Sequence, residues 1–126
     1  WTVAKKSNLD LSKVYKGIAA SSGNSFVHET ESQVILNGSY NINFTMDLVL
    51  KDTGLFNELA KKLNSSLEIS PMVVDIFKDG QKKYGSRAWS SMIVKRMEDL
   101  NNISFRAKGF PEELVDNEVE EKGYEI

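Results

Sequence analysis

Four carboxylates in two close pairs are the residues that most resemble catalytic groups. Asp75 and Asp79 lie four positions apart, and Glu98 and Asp99 are adjacent. One member of such a pair can donate a proton and the other accept one, provided that the two are held in unlike environments within a cleft. The surrounding sequence places all four at strand ends and in loops, which predicts solvated surface carboxylates and no acid–base site.

Other catalytic groups are scarce in this chain. The 126 residues contain no cysteine and a single histidine, His28. Thiolate nucleophiles, thiolate metal sites, histidine-rich metal sites and the usual Ser-His or Cys-His pairs are therefore excluded within one subunit. We predict a protein that is not an enzyme and has no cofactor or metal, in which His28 is a structural strand residue with a satisfied ring.

A group of cations interleaved with aromatic rings indicates one alternative function. Such a set on a sheet can bind single-stranded nucleic acid, because cations follow the phosphates and rings stack on bases. The members of the set are Lys82, Lys83, Tyr84, Arg87, Trp89, Lys95, Arg96 and Arg106. The contacts predicted under this alternative are Arg87, Trp89, Arg96 and Arg106. The negative net charge of the chain, −2, disfavours it.

The strongest structural pattern is the alternation of apolar and polar residues from Tyr40 to Leu50. An extended strand would place alternate side chains on opposite faces. The apolar face would hold Tyr40, Ile42, Phe44, Met46, Leu48 and Leu50, and the polar face would hold Asn41, Asn43, Thr45 and Asp47. The pattern predicts a strand that packs on one side and is hydrated on the other.

The segments around this strand predict a mainly β (α+β) fold. Phe26 to Leu36 is strand-like, and Asn37-Gly38 is a tight-turn signal that would join it to the next strand in a hairpin. Further strands are predicted at 72–77, 87–97 and 101–108, with a polar hairpin loop at 78–85. One amphipathic helix is indicated by Leu55, Phe56, Leu59 and Leu63, whose spacing predicts a core-facing stripe. We expect antiparallel sheets in a half-open barrel or sandwich, flanked by that helix.

Length and charge distribution predict a single domain, 1–126, with two distinct ends. Residues 1–25 are compatible with a short helix or a strand. Residues 112–126 hold one lysine against seven acids, whereas 1–111 hold 15 lysines and arginines against 11 acids. The acidic end is predicted to be solvated, or alternatively to dock on a basic surface of a neighbouring subunit. No segment has the roughly 20 apolar residues of a membrane span.

The order of these signals resembles the tail-tube proteins of contractile-tailed bacteriophages and phage-like particles. The resemblance rests on Asn37-Gly-Ser-Tyr40, the strand to Leu50, the helix Leu55 to Leu63, the later strands, and Asn102-Ile-Ser-Phe-Arg106 followed by Gly109-Phe-Pro-Glu-Glu-Leu114. It implies homo-oligomeric rings that stack into a tube, with surrounding sheath or baseplate proteins as partners. Asn41, Asn43, Thr45 and Asp47 would then line a lumen through which DNA passes as cargo.

The expected function is therefore a structural subunit of a tail tube, located in a virion tail and assembled in the host cytoplasm. Besides the nucleic-acid-binding sheet, a second alternative is a small-ligand or protein-interaction β-barrel. In that alternative the apolar face of residues 40–50 would surround a pocket.

Overall fold

The computed structural model describes residues 1–114 and residue 123, and these residues form helices joined by short loops. The elements are α1 (Thr2–Lys6), α2 (Leu11–Ala19), α3 (Phe26–Asn37), α4 (Met46–Lys62), α5 (Ile69–Tyr84), a 3₁₀ turn (Ser90–Val94) and α6 (Lys95–Asn101). Within the described residues there is no strand, and the β pairing amounts to two isolated bridges, Asn41 with Glu113 and Thr45 with Trp89. The predicted half-open barrel or sandwich is wrong.

The segment predicted as the first strand of a hairpin is helix α3. Ser25 caps its start, because its hydroxyl accepts a hydrogen bond of 3.0 Å from the backbone N–H of His28. Gly38 ends it in the left-handed conformation, with φ of 99°. An Asn-Gly pair suits a helix C-cap as well as a hairpin turn, since both need positive φ. The hairpin prediction is wrong for that reason.

The predicted strand from Tyr40 to Leu50 is also wrong, because the backbone changes conformation twice within it. Tyr40 and Asn43 have positive φ of 56° and 59°, which interrupts an extended ladder. From Met46 onward the chain is helical, and Met46 and Leu50 are one turn apart on the inner side of α4. Alternation over so short a stretch fits an irregular loop followed by a helix as well as it fits a strand.

Helices α4 and α5 form an antiparallel pair joined by residues 63–68. The predicted helix of residues 55–63 corresponds to the last part of the longer α4 and its C-cap, Leu63. The predicted strand 72–77 and hairpin loop 78–85 are instead part of α5 and its C-cap. Pro71 is in the first turn of α5, where its missing N–H removes no intrahelical bond. Pro71 therefore lies near the start of helix α5 and not at the border of a strand.

The remaining predicted strands are replaced by a turn, a helix and an extended segment. Residues 90–101 form the 3₁₀ turn and α6, and 103–106 run extended beside the end of α3, where the N–H of Ala107 donates to the carbonyl of Leu36 at 3.0 Å. Residues 1–25, compatible with either helix or strand by pattern, contain α1 and α2. Asp10 caps α2 by accepting from the N–H of Ser12 at 2.9 Å.

The apolar core lies between α2, α3 and the extended segment. Its buried members are Leu11, Ile35, Leu36, Tyr40 and Phe105. Of the residues expected on the core face, Tyr40 and Met46 are buried, and Ile42, Leu48 and Leu50 are half-buried. The structure places the others on the surface: Phe44, Leu55, Phe56, Leu59 and Leu63.

A buried carboxylate joins three parts of the fold. The Glu98 side chain is 5 % exposed and accepts hydrogen bonds from the Tyr40 hydroxyl, from the Phe105 N–H at 2.6 Å and from the Arg106 guanidinium at 3.0 Å. The guanidinium also donates to the Tyr40 oxygen at 2.9 Å. A buried charge is tolerable only when it is paired and hydrogen-bonded, and Glu98 is both.

Two features concern membranes and metals. None of the helices in the described part of the chain is long and apolar enough to cross a bilayer. Residues 1–114 and 123 also contain no group of three histidine, cysteine, aspartate or glutamate side chains able to hold a metal ion. Most of the acidic end, 115–122 and 124–126, lies outside the described residues. The prediction of a single domain over 1–126 stays a prediction.

We predict that the folded state becomes less stable at alkaline pH because of the Tyr40 hydroxyl. Burial, and next the hydrogen bond to Glu98, raise the pKa of Tyr40 to about 12 from the ordinary 10. Between these values the unfolded chain releases a proton that the folded chain retains. The free energy of unfolding therefore falls as pH rises from 10 to 12, by roughly 2–3 kcal/mol from this residue. Urea unfolding at several alkaline pH values measures it.

Tyr40→Phe should flatten this pH dependence. Tyr84→Phe should flatten it as well, because burial and the hydrogen bond to Asp99 also raise the pKa of Tyr84 to about 12. Equal slopes for Tyr40→Phe and the wild-type chain would contradict the prediction.

We predict that alanine substitution has opposite effects on stability at two helical glycines, Gly80 and Gly54. A Cβ at Gly80 would lie 2.6 Å from Ile93 Cδ1 and 3.3 Å from Met46 Sδ, whereas one at Gly54 meets nothing within 4 Å. Gly80→Ala should lower the free energy of unfolding by about 1–3 kcal/mol through overpacking. Gly54→Ala should raise it by about 0.5–1 kcal/mol through helix propensity. Denaturant titration measures both, and a stabilising Gly80→Ala would contradict the prediction by showing that the side chains of Ile93 and Met46 move aside for the added methyl group.

Candidate functional site

The polar residues that stood out in the sequence meet at a junction between two loop segments. The junction consists of residues 41–47 and 86–90, which run antiparallel. The N–H groups of Met46 and Asp47 donate to the carbonyls of Ala88 and Ser86 at 2.9 and 3.1 Å, and the N–H of Ser90 donates to the carbonyl of Phe44 at 2.8 Å. These backbone bonds bring Thr45 opposite Trp89 and orient the start of α4.

Asp47 is the ionised centre of the junction. It accepts hydrogen bonds from the Thr45 hydroxyl, from the Leu48 N–H at 3.0 Å and from Arg87 at 3.2 Å. The hydrogen bond from Thr45 is the main reason, followed by Arg87, that the pKa of Asp47 is lowered from its usual value. A negative charge in the first turn also suits the dipole of α4. Asp47 therefore orders the helix start as a carboxylate.

A small cleft opens beside this junction. It has a volume of about 210 Å³ and is lined by Asn41, Ile42, Asn43, Trp89, Glu113 and Leu114. Asn41 donates from its amide to the Glu113 carboxylate at 3.1 Å. The lining offers amide donors and acceptors, a carboxylate and an indole, but no histidine, lysine or cysteine. The cleft can hydrogen-bond a small polar molecule, and Glu113 is the one titratable side chain in its lining.

The arginines predicted to contact nucleic acid do not share a surface. Arg87 pairs with Asp47, Arg96 donates to Asp79 at 2.6 Å, and Arg106 binds Glu98. Trp89 packs against the core cluster. With each cation neutralised at a different place and no sheet in the described residues to carry them, the predicted nucleic-acid-binding sheet is wrong.

His28 is a structural residue, in a helix and not in the predicted strand. Its ring packs between Trp1 and Tyr15, with ring centroids 5.8 and 4.9 Å away. Nε2 lies 3.0 Å from the Tyr15 carbonyl and Nδ1 lies 3.1 Å from the Ser32 hydroxyl. A carbonyl can only accept, so Nε2 donates to Tyr15, and Nδ1 is hydrogen-bonded to the Ser32 hydroxyl.

The four carboxylates considered for acid–base chemistry are not paired with each other. Asp79 binds Arg96 and Lys83, and these hydrogen bonds lower the pKa of Asp79. Lys95, and next Tyr84, lower the pKa of Asp99 in the same way. Asp75 is an exposed partner of Lys78, and Glu98 is the buried residue that joins the fold. The prediction that all four lie at strand ends and in loops is wrong, because they lie in α5 and α6, and the prediction of a solvated surface carboxylate is wrong for Glu98.

A groove between α4 and α5 was missed by sequence reasoning. It has a volume of about 490 Å³ and carries both charge signs on an apolar floor, with Asn57, Glu58, Lys61, Asp75, Lys78 and Gln81 among its lining residues. The groove was not predicted because residues 72–77 were predicted to be a strand and not part of helix α5. The available signal was the helical spacing of Val73, Ile76, Phe77 and Gly80.

The helix starts that bind phosphates in many proteins are occupied here by the chain's own side chains. Asp10, Ser25 and Asp47 accept from the first-turn N–H groups of α2, α3 and α4. Glu68 precedes α5 and adds negative charge at its start. A phosphate needs free N–H groups and a positive environment, so these residues do not fit one.

Comparison with known proteins overturns the tail-tube resemblance. Residues 1–97 match the family model described as "NAD-binding of NADP-dependent 3-hydroxyisobutyrate dehydrogenase". That range covers every helix except the end of α6. The predicted tail-tube function, the non-enzyme assignment and the location in a virion tail are therefore wrong, and the small-ligand β-barrel alternative fails with the barrel.

The curated relatives are named as dehydrogenases or oxidoreductases. The L-threonate dehydrogenase of Haemophilus influenzae is 27% identical over 107 residues, 85% of this chain and 35% of that protein. An uncharacterized oxidoreductase of Shewanella frigidimarina is 27% identical over 75% of this chain and 33% of its own length. The L-threonate dehydrogenase of Escherichia coli is 25% identical over 74% and 31%.

The chain thus spans about a third of the length of the curated relatives that it matches. Its helices α1 to α5 lie wholly within the residues that the family model matches. The chain belongs to the family of the NAD-binding domain of NADP-dependent 3-hydroxyisobutyrate dehydrogenase.

Proposed function

We propose that this chain is the helical part of an NAD(P)-dependent hydroxy-acid dehydrogenase. The single observation that carries the proposal is the family match over residues 1–97. The relatives named L-threonate dehydrogenase support a sugar-acid or related hydroxy acid as substrate. An oxidoreductase role thus replaces the structural role in a tail tube that was predicted from the sequence.

The described residues do not fit a dinucleotide on their own. A dinucleotide site of the doubly wound type uses a glycine-rich turn between a strand and a helix, with the pyrophosphate at the helix start. Residues 1–114 and 123 contain no strand, and the starts of α2, α3 and α4 are filled by Asp10, Ser25 and Asp47. We propose that the phosphates are held by a portion corresponding to the two thirds of the relatives that this chain does not match.

The chain's own contribution would be to bind the hydroxy acid and exclude water. The cleft of Asn41, Asn43 and Glu113 supplies amides and a carboxylate that can hydrogen-bond substrate hydroxyls. Its position beside α4 is fixed by the backbone bonds of the junction and by Asp47. The carboxylate of Glu113 already accepts a hydrogen bond from the Asn41 amide, and we propose that the group that removes the hydroxyl proton comes from the other portion.

The proposal predicts complementation between two separately produced polypeptides. The complementary portion is defined as the two thirds of the H. influenzae L-threonate dehydrogenase that this chain does not match. Mixing it with this chain should give L-threonate-dependent reduction of NAD(P)⁺, followed by the absorbance of NAD(P)H. The chain alone should be inactive. A mixture no more active than the complementary portion alone would contradict the proposal.

A variant of the cleft sharpens this experiment. Asn41→Leu removes the amide without adding charge, and should raise the KM for L-threonate about threefold to tenfold with little change in kcat, as expected for one lost hydrogen bond. Asn101→Leu is the control, because Asn101 lies on α6, donates to the Met97 carbonyl and is not among the residues that line the cleft. Equal KM values for the two variants would remove the cleft from the substrate site.

A further inference from the structure

Helix α4 carries an uncovered apolar stripe. The stripe consists of Leu55, Phe56, Leu59 and Leu63, and these residues are 59, 55, 54 and 66 % exposed. Their spacing places them on one face over two turns of the helix. Four large apolar side chains in one row are more than the scattered exposed residues that are normal on a protein surface.

The opposite face of α4 explains why the stripe is bare. Asn57 donates to the Ser70 hydroxyl at 2.9 Å, and the α4–α5 groove lies along the same side as Leu50, Gly54 and Lys61. Because α5 occupies that side, the stripe faces away from the rest of the described molecule. The internal packing of this chain therefore does not require the stripe to be apolar.

Charged residues border the stripe. Lys51 and Asp52 form an exposed ion pair of 3.1 Å at its beginning, and Lys62 lies near its end. An apolar centre with a polar, solvent-accessible rim is the usual composition of a protein–protein interface. The stripe has this composition over a single helix face.

We infer that the stripe is the surface on which the complementary portion of the dehydrogenase packs, through an apolar face of its own. This inference rests on the proposed function. Its occupant follows from length: relatives of this chain carry about two thirds of their residues outside the match, and in those proteins that mass is part of the same polypeptide. The stripe offers such a portion the apolar contact area that association needs.

The experiment compares a stripe variant with a control on another helix. Leu55→Glu combined with Leu59→Glu places two charges in the stripe, and Leu100→Glu places one on α6, where Leu100 is 67 % exposed. Binding to the complementary portion is measured by isothermal titration calorimetry, with circular dichroism and thermal melting to establish that each variant is folded. We expect the double variant to bind at least about a hundredfold more weakly and Leu100→Glu to bind as the unchanged chain does.

The milder variant Leu59→Gln tests the same surface if the double variant is unfolded. Undiminished binding of folded stripe variants would overturn the inference and leave the proposed function intact. Absence of binding by the unchanged chain would instead refute the proposed function and this inference together. Sedimentation of the chain alone tests whether the stripe instead binds a second copy of this chain. A dimer that the stripe substitutions dissociate would assign the stripe to that second copy and overturn the inference.

Discussion

The carboxylate of Glu98 is the interaction on which the arrangement of the helices depends. It lies on α6, and its partners are the hydroxyl of Tyr40, which follows α3, and the backbone and guanidinium of the extended segment at Phe105 and Arg106. The side chain is almost fully buried, so each of these bonds replaces a bond to water that the ion has lost. Removing one partner would leave a charge in an apolar core, and the three segments are therefore held in one arrangement.

This arrangement separates the part of the chain that packs on itself from the part that faces outward. The buried core of Leu11, Ile35, Leu36, Tyr40 and Phe105 lies between α2, α3 and the extended segment, and Trp1, Trp89 and Met92 are among the residues that pack against it. The α4–α5 pair is attached through the 3₁₀ turn and the backbone bonds of the junction, and Gly80 permits the close approach of Ile93. The apolar stripe of α4 lies outside the core, as is common in a domain that packs against another domain.

Family membership and local geometry place different limits on function. The family model is described as NAD-binding, yet the described residues form no strand–turn–helix cradle, and their helix starts carry acidic or capping side chains. These two findings are compatible if the dinucleotide is bound jointly with residues that this chain does not match. A small open polar cleft and an exposed apolar stripe are both what one part of a divided site would present.

The sequence alone determined several local features, because they depend on neighbouring residues. The absence of cysteine and the single histidine excluded thiolate chemistry, and the apolar spacing of Leu55, Phe56, Leu59 and Leu63 predicted a helix that the structure contains within α4. The satisfied ring of His28 was also anticipated. The tertiary structure alone decided whether Asn37-Gly38 closed a hairpin or a helix, and whether residues 40–50 were a strand, since turns and C-caps share the same positive φ. It also decided the burial of Glu98 and the exposure of the stripe on α4. These depend on partners far along the chain, or on a partner outside it, and such distant packing is not encoded in local periodicity.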